Sequence, residues 1–222
     1  MSLLKNISLE NILSVGIWKI TESEQELRSL LEKTHPGPLA ADSFKNESRR
    51  KQWMASRIVL SLLLENSSPE TSYNEHGKPL LKNNSHSISL SHSGELAAAA
   101  VSLRFPVGID IEMIRDRVTR VARRFMNEAE LSSLNSQDRL EKLHVYWGAK
   151  ESLYKLGGNP EVDFRKDITI RSFDYFCSPV QTCQASMIRD NIMRVYPVYY
   201  EKIGGYMLVF TYDNGMPDDL MT

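Results

Sequence analysis

Cysteine is scarce in this chain: of 222 residues only Cys177 and Cys183 are cysteine, and their spacing matches no metal-ligand pattern. That scarcity excludes a disulfide framework and fits a reducing compartment. Neither sign of charge dominates. Lys plus Arg number 27 and Asp plus Glu 28, a net charge of -1, so bulk attraction to nucleic acid or to a membrane surface is excluded. Any electrostatic recognition must come from local patches. No apolar run reaches the length needed to cross a bilayer, and the first residues, Met1-Ser2-Leu3-Leu4-Lys5-Asn6, lack the apolar stretch of a signal peptide. A cytoplasmic protein is expected, with 41% hydrophobic and 25% charged residues, an ordinary globular balance.

Several elements are readable from pattern. Val15–Ile20 reads as a strand, followed by a helix to about Lys33 with Thr21 as N-cap and Glu24 completing a capping box. His35-Pro36-Gly37-Pro38 breaks the chain. The apolar spacing of Trp53, Ile58, Leu60 and Leu64 predicts a helix from about Glu47 to Leu64. Its first turns carry Arg49, Arg50, Lys51 and Arg57, cations that oppose the helix dipole, so helix physics alone did not select them. Ser87–Gly94 alternates polar and apolar residues and begins as a strand. Leu96–Leu103, rich in alanine, lies between turn signals and reads as a buried strand despite the helix preference of alanine. Helices are expected at Val118–Met126, Glu128–Leu134 and Asp138–Gly157. Strands are expected at Ile168–Ile170, Cys183–Met187, Met193–Tyr200 and Tyr206–Tyr212. Each half thus offers helix plus several strands, an α/β (α+β) class, with a boundary at Pro106 dividing 1–105 from 106–222.

The chemistry-bearing residues are concentrated in two places. In Val107-Gly108-Ile109-Asp110-Ile111-Glu112 the strand period of two puts Asp110 and Glu112 on one side. In Trp147-Gly148-Ala149-Lys150-Glu151-Ser152-Leu153-Tyr154-Lys155 the helical period puts Glu151 and Lys155 on one face. Two readings stand at this level. The acids are a strand end running into water and the helical pair a surface ion pair. Otherwise the segments meet, and oxygen-only ligands suit Mg²⁺ on a phosphate ester, with Lys150 and Lys155 neutralising phosphate. Ser91-His92-Ser93 is no serine-hydrolase site, because no Gly-x-Ser-x-Gly elbow is present. Its hydroxyl and imidazole suit hydrogen bonds to phosphate instead. Gly77-Lys78-Pro79 is a turn with a charge on it and not a Walker A loop.

Taken in order, these segments resemble the 4′-phosphopantetheinyl transferases, in particular the longer, two-half type named after the surfactin synthetase activator. The likeness rests on Arg50–Arg57, Gly77-Lys78-Pro79, Ile88–Gly94, Val107–Glu112, Arg124-Phe125-Met126 through Glu130, and Trp147–Lys155, across residues 44–158. The resemblance implies two similar α/β halves related by a pseudo-twofold axis, with coenzyme A between them. The N-terminal half, 1–105, would bind the nucleotide end; the C-terminal half, 106–222, would carry metal, catalysis and carrier docking. A serine of an apo acyl or peptidyl carrier protein would receive the phosphopantetheine arm, with adenosine 3′,5′-bisphosphate released, as in a holo-acyl-carrier-protein synthase.

On that resemblance Asp110, Glu112 and Glu151 would hold Mg²⁺, and Glu151, or else Glu130, would take the serine proton. Lys155 and His92 would contact the diphosphate. Arg50, Arg57, Lys78, Pro79 and Ser91 would line the coenzyme A site, with Asp110 also close to it. The carrier would dock on Arg115, Arg117, Arg120, Arg123 and Arg124, with Phe125 and Met126 touching its serine-bearing helix. In this family Met126 stands where a second aromatic is usual. A monomer, a pseudo-dimer within one chain, is expected. The competing reading is a non-catalytic coenzyme A or carrier-protein binding module that keeps the cleft without the reaction; a third, a metal-dependent phosphodiesterase, would use water as acceptor.

Overall fold

The structure is a computed structural model and describes residues 3–9, 12–32, 39–65, 69–135, 137–158, 161–190 and 192–215. The chain divides into two compact units, Met1–Val107 and Gly108–Thr222. Among the described residues no helix is long and apolar enough to cross a membrane.

Unit 1 opens with β1 (Leu3–Leu9) and β2 (Leu13–Lys19), then α1 (Glu24–Glu32), a 3₁₀ turn at Ala40–Ser43 and α2 (Glu47–Leu63). A short hairpin of β3 (Thr71–Tyr73) and β4 (Pro79–Leu81) precedes β5 (Ser87–Ser93) and β6 (Leu96–Ser102). The main sheet runs β1-β2-β6-β5 with every pairing antiparallel. The alanine run is indeed a strand: all seven residues of β6 are buried between β2 and β5, because side chains this small let neighbouring layers close in. Met54, Ala55, Val59 and Leu60 of α2 pack with Trp18, Ile88, Ala97 and Ala99 of the sheet. A Cβ at Gly16 would stand 2.7 Å from Val59 Cγ1, so α2 crosses β2 at a residue without a side chain.

Two expectations for this unit are corrected. The capping box at the start of α1 belongs to Ser23 and Glu26, two residues later than expected. The Ser23 N–H donates to Glu26 Oε2 at 2.8 Å, and the Glu26 N–H donates to Ser23 Oγ at 3.3 Å. Glu22 delays the helix by accepting from Trp18 Nε1 and from the Thr21 N–H, each at 3.1 Å. β1 was not expected at all. Its side chains are mostly exposed, so edge pairing to β2 rather than an apolar pattern defines it. The His35–Pro38 break lies outside the described residues.

Unit 2 takes in β7 (Val107–Met113) from Gly108 onward and continues through α3 (Arg117–Phe125), α4 (Glu128–Ser132) and α5 (Arg139–Gly157). It ends with β8 (Ile168–Ile170), β9 (Gln181–Arg189), β10 (Ile192–Ile203) and β11 (Tyr206–Tyr212). The sheet order is β7-β11-β10-β9-β8. The longest helix, α5, is buried around most of its circumference, Leu143, Tyr146, Ala149 and Leu153 all being inaccessible. It ends in a left-handed Gly158 (φ 61) whose N–H donates to Tyr154 O at 2.9 Å. The helix lies unusually close to the sheet. A Cβ at Gly108 would fall 1.9 Å from the Ser152 carbonyl oxygen, and one at Gly148 would fall 2.6 Å from Val209 Cγ2. The Ser152 hydroxyl then donates to Val209 O at 3.0 Å.

A methyl at Gly108 has only backbone to displace. Gly108→Ala is expected to lower unfolding stability by about 3 kcal/mol or more, measured by urea or thermal denaturation. Gly205→Ala, where a Cβ meets nothing within 4 Å, should stay within about 0.5 kcal/mol of the parent.

Candidate active site

The pleat of β7 puts Gly108, Asp110 and Glu112 on one side and Ile109 and Ile111, both fully buried, on the other. The first of these faces α5. Gly108 meets α5 at Ser152, and Asp110 Oδ2 lies 3.7 Å from where a Cβ of Gly148 would be. Positions 144, 148, 151 and 155 recur at helical spacing, so one stripe of α5 runs past the acids of β7. The small residue at 148 leaves room for a carboxylate where a side chain would otherwise fill the space. Lys155 Nζ donates to Asp110 Oδ1 at 2.7 Å and to the Ile109 carbonyl at 3.0 Å. The two segments that the sequence keeps far apart therefore meet within unit 2, and Asp110, only 4% exposed, is no solvated strand end.

Glu151 is half-buried, one turn before Lys155. Burial pushes its carboxyl up to about 7; the charges of Asp110 and Glu112 push the same way and Lys155 opposes them. Three carboxylates thus crowd one region, with the Lys155 ammonium bonded to Asp110 among them. The donor chemistry suits a hard cation: all oxygen, all anionic, and mutually repelling in its absence. Among the described residues, no three His, Cys, Asp or Glu side chains are gathered tightly enough to enclose a metal ion. Beside the acids a cavity of about 420 Å³ opens between α3 and α5, with Glu112, His144 and Trp147 on one side and Arg117, Val118 and Arg120 on the other. Trp147 is held edge-on to Phe125, ring centroids 5.1 Å apart.

Three expectations are corrected next to this site. Glu130 is 2% exposed and its carboxylate is fully engaged. Oε2 accepts from Lys150 Nζ and from the Asn127 N–H, and Oε1 accepts from the Ile170 N–H, each at 2.9 Å. Lys150 Nζ also donates to Phe164 O at 2.7 Å and Ile168 O at 2.8 Å. Glu130 is therefore a structural anion rather than a base, and Lys150 is its counter-ion rather than a phosphate ligand. The Asn127-x-x-Glu130 spacing, a capping-box signature, was the signal that could have revealed this. Phe125, 3% exposed, and Met126, 0% exposed, belong to the core and offer no face to a docking helix.

The residues expected at the nucleotide end, Arg50, Arg57, Lys78, Pro79 and Ser91, all lie in unit 1. Arg50 holds Glu24 with both Nε and Nη2 at 2.8 Å, and its Nη1 donates to Phe44 O and Lys45 O at 2.9 and 3.0 Å. These bonds brace α2 against α1. Arg57 is 5% exposed and stacks 4.1 Å above the Trp53 ring. It donates to Ser56 Oγ and to the Tyr73 hydroxyl, and burial pulls its guanidinium down to about 10. It too is built into the unit rather than presented to a ligand. Lys78 follows the left-handed Gly77 (φ 78), with Pro79 opening β4; burial pulls its ammonium down to about 8. Ser91 and His92 are successive residues of β5, so the strand turns them to opposite faces, Ser91 buried and His92 half-buried.

The raised carboxyl of Glu151 has a consequence for stability. The folded chain keeps the Glu151 proton up to about pH 7, whereas the unfolded chain releases it near the ordinary 4.5. Between those values the folded state binds more protons, so this group subtracts stability as pH rises, and the penalty is complete above the folded value. In the presence of a chelator, the stability difference between Glu151→Gln and the parent should widen in favour of the variant from about pH 5 to pH 7, as read by denaturant titration at each pH. A constant difference would contradict the crowding of the three acids.

Comparison with known proteins bears on the same segment. Residues 106–199 match the sequence model of the 4′-phosphopantetheinyl transferase superfamily. The chain is 34% identical over 116 residues to the 4′-phosphopantetheinyl transferase AcpT of Escherichia coli (strain K12), an alignment covering 50% of this chain and 59% of that protein. It is 33% identical over 125 residues to Sfp of Bacillus subtilis (strain 168), covering 52% and 55% respectively. Against HetI of Nostoc sp. (strain PCC 7120 / SAG 25.82 / UTEX 2576) it is 29% identical over 163 residues, or 65% and 69%. Both AcpT and Sfp carry the name 4′-phosphopantetheinyl transferase and are matched over little more than half their length. The matched segment, residues 106–199, contains the β7 acids and the whole of α5, and it is the part in which this chain is similar to the 4′-phosphopantetheinyl transferase superfamily.

Proposed function

We propose that this chain transfers the 4′-phosphopantetheine arm of coenzyme A to a serine of an apo acyl or peptidyl carrier protein, in a Mg²⁺-dependent reaction that releases adenosine 3′,5′-bisphosphate. The observation that carries the reading is the meeting of Asp110, Glu112, Glu151 and Lys155 inside the superfamily segment.

Asp110, Glu112 and Glu151 are the residues that would hold the metal. Held there, Mg²⁺ would supply positive charge to stabilise the negative charge that builds on the leaving bisphosphate. Lys155 anchors Asp110 and adds a positive charge beside the phosphates. Glu151, with its carboxyl held near 7, takes the proton from the serine hydroxyl. The serine oxygen then bonds to the β-phosphorus as the bond between that phosphorus and the bridging diphosphate oxygen breaks. In unit 1, Lys78, Ser91 and His92 bind the nucleotide end and its phosphates. An ammonium pulled down to about 8 by burial gains most from a polyanion. The carrier, typically acidic, docks on the exposed arginines Arg115, Arg117, Arg120, Arg123 and Arg124 at and along α3. The reaction takes place in the cytoplasm, on a monomer.

Incubation with coenzyme A, Mg²⁺ and a panel of apo carriers should add the mass of one phosphopantetheine group to a carrier, read by intact mass spectrometry. Coenzyme A binding without any mass gain across the panel would favour a binding module. Release of phosphopantetheine with no carrier present would favour a phosphodiesterase. Asp110→Asn and Glu151→Gln should each lower the transfer rate by about 10²–10³-fold or more. Neither variant should be less stable than the parent by more than about 1 kcal/mol. Collapse of the fold in either variant would assign those acids to structure.

A further inference from the structure

The connection from β7 to α3 is held at two successive backbone amides. The Ile114 N–H donates to Gly205 O at 2.9 Å, which continues the strand edge by one residue. The next amide, that of Arg115, donates 3.2 Å to Nε2 of His144, a side chain from a different element. His144 is 4% exposed, and its Nδ1 lies 2.9 Å from the Leu140 carbonyl one turn earlier on α5. A carbonyl only accepts, so Nδ1 carries the proton and Nε2 presents the lone pair that Arg115 needs. Burial, the largest influence on the ring, favours the neutral form in which Nε2 can accept; it outweighs the Leu140 and Met113 backbones and the charge of Glu141, which favour the protonated ring. The first turn of α5 is itself fixed to β10, with Lys202 Nζ donating to Glu141 Oε1 at 2.9 Å. The imidazole therefore stands on a rigid platform.

What this bond positions is functional surface. Glu112 lies at one end of the tethered connection and Arg117, the first residue of α3, at the other. Both line the 420 Å³ cavity, together with His144 itself. Without an acceptor for the Arg115 amide, a backbone donor at the foot of α3 would be left to water, and the helix would gain freedom to swing.

We infer that His144 is a positioning residue: by accepting the Arg115 amide at Nε2 it fixes α3 against α5, and so sets the bearing of the α3 arginines toward the carrier protein without touching coenzyme A. The inference rests on the transferase reading for its consequence and on the hydrogen bond alone for its mechanism.

Three variants separate the roles. The amide oxygen of glutamine reaches about as far as Nε2, whereas asparagine reaches only to the Nδ1 position and alanine offers no acceptor. Backbone amide exchange by NMR should show protection of Arg115 in the parent and in His144→Gln, and its loss in His144→Asn and His144→Ala. In transfer assays, the KM for the carrier should rise roughly five- to tenfold in the Asn and Ala variants, about the loss of one hydrogen bond. In His144→Gln it should stay within about twofold of the parent, with the KM for coenzyme A unchanged in all three. Equal loss of Arg115 protection in the glutamine variant, or a parallel rise of both KM values, would overturn the inference. A parent protein that transfers nothing to any carrier would overturn the transferase reading instead, and the exchange data would still decide the tether. A variant that fails to fold is replaced in both measurements by His144→Gln alone, where loss of protection overturns the tether and its retention supports it.

Discussion

Everything distinctive about unit 2 depends on how closely β7 and α5 approach. With Gly108 against the Ser152 carbonyl and Gly148 against Val209, the strand and helix are nearer than side chains ordinarily allow. That proximity is what lets a helical lysine, Lys155, reach a strand carbonyl and a strand carboxylate at once. It also buries Asp110 and half-buries Glu151, so their charges act on one another through protein rather than through water. Had either glycine been alanine, the acids would sit farther apart and their mutual repulsion would fade into solvent.

The helix α5 separates two kinds of charge chemistry along adjacent residues. Lys150 turns inward, where Glu130 and two carbonyls complete its hydrogen bonding and water is absent. Glu151, the next residue, turns toward the β7 acids and has no such saturation. The difference is one of completeness. A buried pair with every donor and acceptor matched is inert, while a half-buried carboxylate beside two others is reactive toward protons and cations. The Glu130 carboxylate also caps α4 and takes the Ile170 amide, so one side chain ties α4, α5 and β8 together.

Much of the element list was legible in the sequence: α2 stands where its apolar spacing puts it, and β6 where the turns on either side of the alanine run put it. The acids of β7 and the Glu151–Lys155 face could be read as a site because strand and helix geometry fix which side chains share a face. What resisted reading was partnership. Arg50, Arg57 and Lys150 look alike in sequence to ligand-binding cations, yet Glu24, Tyr73 and Glu130 claim them, and only tertiary contact reveals that. Phe125 and Met126 were misread for the same reason, since an apolar residue at a helix end gives no sign of which side it faces. β1 escaped notice because edge pairing, not composition, defines it.

The position of β7 in its sheet bears on how the protein comes to be made. β7 stands at the end of the strand order and its neighbour is β11, the last strand of the described chain. During synthesis the acidic strand emerges well before the partner that will pair with it, and it must wait through three helices and three strands. A nascent chain therefore carries the β7 acids without their sheet neighbour until the β10–β11 hairpin has been made. The surroundings of Asp110 and Glu112 are thus completed only after a long stretch of later chain has been made.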